Sequence, residues 1–260
     1  MNIHEQLAAH PLLDCNFGYI QPVILKLSPK ILKRVEETGK IRNDGIEEIE
    51  ASEYYHVSVF QKAAALISAV ERLEHSLIFI QKLPYPRRYE KKGVHQFSWL
   101  EYHYSYFVIT YDSLLDIALI LTNTIFQLGN NERECKLSVV RDNEWVKRTP
   151  VKATIDTLEK LTSSYGKTRN LFLHRGESPS VKSVTESEML DLLQVTFTVH
   201  QHSKPIVPLE LVDRVFKWES KKVVDELNND LIEAHDAIIL FFDSLLPVYK
   251  NRAQMLKSAI

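Results

Sequence analysis

The chain has 260 residues, 45% of them apolar and 25% charged, which is enough to bury a core and too apolar for a disordered chain. A formal net charge of −2 supplies no global field for nucleic acid or an anionic membrane, and two cysteines, Cys15 and Cys135, make neither a disulfide framework nor a zinc-ligand set. Only 7 glycines are present where average usage gives roughly 18, which disfavours a turn-rich β fold.

Taken in chain order, residues 1–50 read as a helical N-terminal extension. Met-Asn-Ile-His-Glu-Gln lacks the basic start and apolar run of a signal peptide, so a cytoplasmic location is expected. Ser28-Pro29 and Gly39 bracket a short helix as cap, first-turn proline and terminal glycine. Residues 52–82 predict a long helix with Tyr55, Val59, Ala63, Leu66, Val70, Leu73, Leu77 and Ile80 on its buried stripe. Leu83-Pro84-Tyr85-Pro86 stops it. A second long helix is predicted over about 98–128, opened by the capping-box pattern Ser98-x-x-Glu101 and closed by Gly129. Its stripe uses Leu100, Tyr104, Phe107, Tyr111, Leu114, Ala118, Leu121, Ile125 and Leu128. The most apolar segment, Leu114–Leu128, is interrupted by Asp116, Asn123 and Gln127 and is too short to span a bilayer, so no membrane partner is expected.

Residues 130–148 read as a polar connection with one short helix. Thr149-Pro150 then opens a third core helix through Ile155, Leu158, Leu161 and Tyr165 towards Leu173, ended by Gly176 and Pro179. Thr185-x-x-Glu188 opens another helix reaching about His200. Residues 208–246 predict a long helix or kinked pair carrying Leu211, Val215, Trp218, Val223, Leu227, Leu231, Ala234, Ile238 and Phe241, with Pro247 bending or breaking it. No internal repeat, low-complexity tract or flexible linker stands out. The fold expected is all-α, with residues 51–260 as one compact antiparallel bundle.

Residues 169–174 read Arg-Asn-Leu-Phe-Leu-His. An arginine supplies a planar fork of fixed charge for phosphate oxygens. A histidine ionises near neutrality and suits proton transfer. Arg169, Asn170 and His174, closing a helix in an all-helical chain, resemble the signature of the HEPN superfamily: Arg, four to six residues, then His, commonly with a polar residue directly after the Arg. The likeness extends over roughly residues 52–245 and implies a HEPN-like four-helix bundle with additional N- and C-terminal helices. It also implies a metal-independent endoribonuclease. The ribose 2′-hydroxyl would attack the adjacent phosphate and leave a 2′,3′-cyclic phosphate. Arg169 would stabilise the phosphorane, His174 would move a proton or position the phosphate, and Asn170 would orient either partner. The same resemblance allows a toxin or phage-defence protein with an antitoxin or other protein partner, or a non-catalytic module binding nucleotides, RNA or protein.

Five steps of about 100° put Arg169 and His174 roughly 140° apart on an ideal helix. Either the helix frays near His174, as Gly176 suggests, or a second subunit completes the site. The family's site usually lies at a dimer interface, so a homodimer with a composite site is expected. The plain alternative is that Arg169, His174 and Arg175 are solvated cations complementing a helix C-terminus. Leu171 and Phe172 read as core.

Two stretches lean basic. Residues 82–95 carry Lys82, Arg87, Arg88, Lys91 and Lys92 against Glu90, interleaved with Tyr85 and Tyr89, a composition suited to RNA and, somewhat better, to a solvated interhelical loop. Residues 141–175 carry eight basic side chains, Lys167, Arg169 and Arg175 among them, against four acids. Arg87, Arg88, Lys91, Lys92, Lys167 and Arg175 are therefore candidate RNA-binding residues. Asp112 and Asp116, four apart, read as paired carboxylates for a metal or, preferably, as residues that sit on the polar side of the helix or bond to groups of a neighbouring one. His200-x-His202 has no companion ligands. With no Gly-rich phosphate loop, nucleophile elbow or His-Glu-x-x-His, neither metal nor cofactor is expected.

Overall fold

The computed structural model describes residues 2–39, 49–81, 92, 94, 96–175 and 208–258, and among these all regular structure is helical. The helices are α1 (Ile3–Ala8), α2 (Pro11–Thr38), α3 (Ala51–Gln81), α4 (Gln96–Phe126), α5 (Leu137–Val140), α6 (Glu144–Lys147), α7 (Val151–Arg175) and α8 (Leu209–Ser258), with a 3-10 turn at Glu132–Glu134. The chain is thus all-α as its composition implies. The stripe expected on α3 is buried at every position from Tyr55 to Ile80, and that on α4 from Leu100 to Ile125. Each fully buried aliphatic or aromatic side chain contributes about 1.5–3 kcal/mol. Over Ser98–Phe126, α4 is long and apolar enough to cross a membrane by length and composition alone, a test that a core helix also passes.

Several boundaries differ from the sequence expectation. Pro29 does not open a helix. It lies inside the 28-residue α2, as does Pro22, and the Ser28 hydroxyl bonds back to the Ile24 carbonyl at 2.7 Å instead of capping. The true start is at His10, whose Nδ1 accepts from the Leu12 amide at 3.1 Å, with Pro11 behind it. Gly39 does end the helix, in the left-handed region at φ 64°. Ser98 lies inside α4, which begins at Gln96. The connection at 130–148 holds three short helical turns, not one. Pro247 sits within the 50-residue α8 without ending it. On that helix Leu211 and Trp218 are exposed, and Phe216, Glu219 and Ser220 are buried in their place. Counting back from Val223 in steps of three and four reaches 220, 219 and 216; apolarity alone misled the assignment. Leu83-Pro84-Tyr85-Pro86, Gly176, Pro179 and the helix expected over 185–200 lie outside the described residues.

The chain forms two compact units, one of Met1–Ser68, Leu114–Glu159 and His235–Ile260, the other of Ala69–Ser113 and Lys160–Ala234. In the first, Tyr55 near the start of α3 donates to the Ile125 carbonyl near the end of α4 at 3.1 Å, and Thr154 near the start of α7 meets Ser244 towards the end of α8 at 3.1 Å. Asn123, an apparent flaw in an apolar run, closes the end of α4: its amide donates to the Asn130 carbonyl at 3.0 Å and its oxygen accepts the Asn130 N–H at 3.2 Å. Asn16 donates to the Tyr249 hydroxyl at 2.8 Å, which meets His56 Nδ1 at 2.7 Å. Burial first, then Lys257, lowers the His56 pKa to about 4, so the ring is neutral at pH 7. The chain of bonds closes when Tyr249 accepts from Asn16 and donates to Nδ1.

In the second unit, Trp99 near the start of α4 donates to the Phe79 carbonyl near the end of α3 at 3.1 Å. His103 stacks on the Phe79 ring, centroids 5.0 Å apart. Tyr104, Phe107, Tyr111 and Tyr165 are fully buried there. Consecutive long helices therefore run in opposite directions within each unit.

Candidate active site around Arg169

Helix α7 runs unbroken through His174 to Arg175, so the helix does not fray at the motif. The 140° separation between Arg169 and His174 consequently holds. The second unit splits the motif between two faces of one helix. Lys167, Asn170 and His174, spaced three and four apart, form one exposed stripe. Arg169 lies on another, in line with Tyr165 one turn earlier.

That second face is anchored by α4 and α8. Arg169 Nη1 donates to Asp112 Oδ2 at 2.8 Å, the two side chains being 34% and 14% exposed. The bond is charge-assisted and partly shielded from water. It also means that Arg169 is not the freely solvated cation of the plain alternative. Arg169 Nε is buried and has no hydrogen-bond partner. Asp112 also lies beside Gly166: a Cβ there would stand 3.4 Å from Asp112 Oδ1, an ordinary contact.

One turn deeper, the Tyr165 hydroxyl donates to the Asp230 carboxylate of α8, and the Tyr111 hydroxyl donates to the Asp230 carbonyl at 3.3 Å. Burial, then the Asp230 bond, pushes the Tyr165 hydroxyl far above the ordinary tyrosine range; burial, then Asp230 and Glu233, does the same for Tyr111. Both phenols stay protonated and serve as fixed donors. Tyr111 and Asp112 are neighbours on α4, and Tyr165 and Arg169 are one turn apart on α7. The same three helices therefore hold a buried tyrosine–carboxylate anchor and, at its edge, an arginine–carboxylate pair.

Among the other candidates, Lys92 is exposed. Arg87, Arg88 and Lys91 lie outside the described residues, as do His200 and His202, and the Arg175 side chain is likewise not described. Asp116 is exposed, whereas Asp112 faces Arg169, so the two do not converge. No group of three His, Cys, Asp or Glu residues able to hold a metal occurs among the described residues. Of the alternatives the sequence left for these two carboxylates, Asp112 bonds a neighbouring helix and Asp116 lies on the exposed side. Sequence reasoning missed Asp230. The available signal was an acid among the apolar residues Leu227, Leu231 and Ala234 of α8. No family model, no curated protein and no solved structure matches the chain.

Proposed function

We propose that the chain is a metal-independent endoribonuclease of the HEPN type, acting as a homodimer on single-stranded RNA. The observation that carries this reading is the division of the motif: Arg169 is half-buried and held by Asp112, while Lys167, Asn170 and His174 are exposed on a different face of the same unbroken helix. On one copy Arg169 and His174 leave the helix about 140° apart, whereas two copies with facing α7 ends would bring one of each towards a shared phosphate. The alternation of direction between consecutive long helices supports the HEPN-like bundle.

In the reaction the ribose 2′-oxygen bonds to phosphorus and the bond to the 5′-oxygen breaks. One proton leaves the 2′-hydroxyl and one reaches the departing oxygen; at each site His174 of one copy, opposite Arg169 of the other, carries one of these transfers and water the other. Arg169 places fixed charge against the equatorial phosphate oxygens. Asn170, beside His174 on the exposed stripe, bonds a phosphate oxygen or the imidazole. Lys167, Arg175 and the basic residues Arg87, Arg88, Lys91 and Lys92 attract the RNA backbone.

A second reading is favoured by the Asp112 carboxylate, which neutralises Arg169: a non-catalytic module that binds a nucleotide, RNA or protein. Incubation of purified protein with single-stranded RNA in EDTA separates the two. The nuclease cuts RNA, leaves DNA of the same sequence intact because it lacks the 2′-hydroxyl, and yields 2′,3′-cyclic phosphate ends. Uncut RNA across many substrates sinks the nuclease reading.

A further inference from the structure

Trp218 belongs to the apolar stripe expected on α8, yet it is 58% exposed. Its surroundings are cationic. Arg214, Lys221 and Lys222 stand three or four residues from it, and Lys217 is its neighbour. At about 100° per residue the five side chains fall within one arc of about 140°. Arg214, Lys217 and Lys221 are exposed, and among the described residues none of the three makes an ion pair. Lys222 Nζ lies over the indole, 3.2 Å from the ring centroid, and 3.8 Å from Glu219, a buried acid on the far side of the helix. The other nearby acids are Glu210 and Asp213 before the run and Asp225 after it; Asp213 accepts from Gln96 at 3.4 Å. From Arg214 to Lys222 the cationic run covers about 12 Å of helix.

We propose that this face of α8 holds a short stretch of single-stranded RNA, with one unpaired base stacked on Trp218 and the flanking phosphates against Arg214, Lys217 and Lys221. The proposal rests on the ribonuclease reading for the class of strand and adds where that strand is held. Phosphates supply the counter-charge that the three cations lack. A base brings a flat face to an indole that protrudes into water, and such stacking tolerates any sequence. An acidic peptide answers the cations but gives the indole no planar partner. A duplex keeps its bases stacked on one another, so it too leaves the indole without one. The acids at either end of the run limit the contact to a few nucleotides. Position favours the same strand. Helices α7 and α8 run in opposite directions past the Tyr165–Asp230 bond, so nine residues on from Tyr165 and nine back from Asp230, about 14 Å along each, bring His174 level with Lys221. The exposed end of the motif and the cationic run therefore lie at one height of the second unit.

The probe is a fluorescein-labelled single-stranded RNA of about ten nucleotides, 2′-O-methylated so that it is not cut, titrated with the full chain and followed by anisotropy. Trp218→Ala should weaken binding at least about 10-fold, and Trp218→Phe should recover most of it, since a ring restores stacking. Lys217→Ala with Lys221→Ala should flatten the slope of log affinity against log salt by about 1.4, two phosphates at about 0.7 each. The same strand paired with its complement should bind several-fold more weakly. Circular dichroism and Tm should stay unchanged in every variant, since all three side chains are exposed. Undiminished binding by Trp218→Ala, equal binding of the duplex, no binding of the strand, or its displacement by an equal weight of polyglutamate overturns the proposal. Cleavage of unmodified RNA, followed alongside, keeps the two readings apart. Binding that depends on Trp218 without any cleavage retains this surface and removes the nuclease. Cleavage with Trp218→Ala binding at full strength does the reverse.

Discussion

Arg169 on α7 and Asp112 on α4 form a part-buried ion pair at 2.8 Å, beside Gly166. The pair ties the residue expected to hold phosphate to a side chain that competes with phosphate for it. Removing either partner strands the other in a partly desolvated place. A double-mutant cycle of Arg169→Ala and Asp112→Asn, read by urea denaturation, should give a coupling of about 1–3 kcal/mol. Coupling near zero would mark the pair as a surface contact. In RNA-binding assays Asp112→Asn should tighten binding several-fold by releasing the fork, while turnover falls because the fork is no longer oriented.

If Arg169 stabilises the phosphorane, Arg169→Ala should lower the cleavage rate about 100- to 1000-fold, by analogy with the loss of an oxyanion donor. Arg169→Lys should recover only part, since a point charge replaces a fork. His174→Ala should cost at least about 100-fold if it moves a proton. Rates equal to wild type for both alanine variants would remove the motif from the chemistry.

A site shared between copies makes a sharper forecast. Arg169→Ala and His174→Ala proteins, each inactive, should regain about a quarter of wild-type activity when mixed in equal amounts and allowed to exchange subunits. Half the dimers are then mixed, and one of their two sites has both residues intact. No recovery, with exchange verified by sedimentation of tagged copies, would place Arg169 and His174 in one copy's site.

His56 predicts an acid limb. Its pKa is lowered from 6.5 to about 4 by burial, then by Lys257, so between these values the unfolded chain binds a proton that the folded one refuses. Stability is therefore full above about pH 6.5 and is lost as pH falls towards 4, on the order of 3 kcal/mol in all. His56→Asn keeps an acceptor for Tyr249 and should flatten stability between pH 6.5 and 4. An unchanged acid limb in that variant would assign it elsewhere.

Tyr165 predicts an alkaline one. Its raised hydroxyl pKa means that above about pH 10 the unfolded chain releases a proton the folded chain keeps, so stability is full below pH 10 and falls as pH rises beyond it. Tyr165→Phe should shift the onset of alkaline unfolding upward and, at pH 7, lose about 1–3 kcal/mol with the Asp230 bond. Absorbance of ionised tyrosine should rise only with unfolding in wild type; a rise before unfolding would contradict buried, protonated phenols.

The helices of the core were legible because an amphipathic helix writes its buried face at intervals of three and four: every residue named for α3 is buried, as are those for α4 through Ile125. Capping signals were weaker guides. Ser28-Pro29 and Pro247 have the chemistry of ends but sit inside helices; around Pro247 the burial of Phe241, Phe242, Leu245 and Tyr249 outweighs the local cost of a proline. The pattern Arg169, Asn170 and His174 was also visible, and so was the angle between its ends, since both depend only on residue order and helix pitch. What order could not say is which face meets what. Asp112 is 57 positions from Arg169 and Asp230 is 65 from Tyr165. A hydrogen bond between helices depends on their rotation and offset, which are set by the packing of many apolar side chains at once, and no local spacing records it.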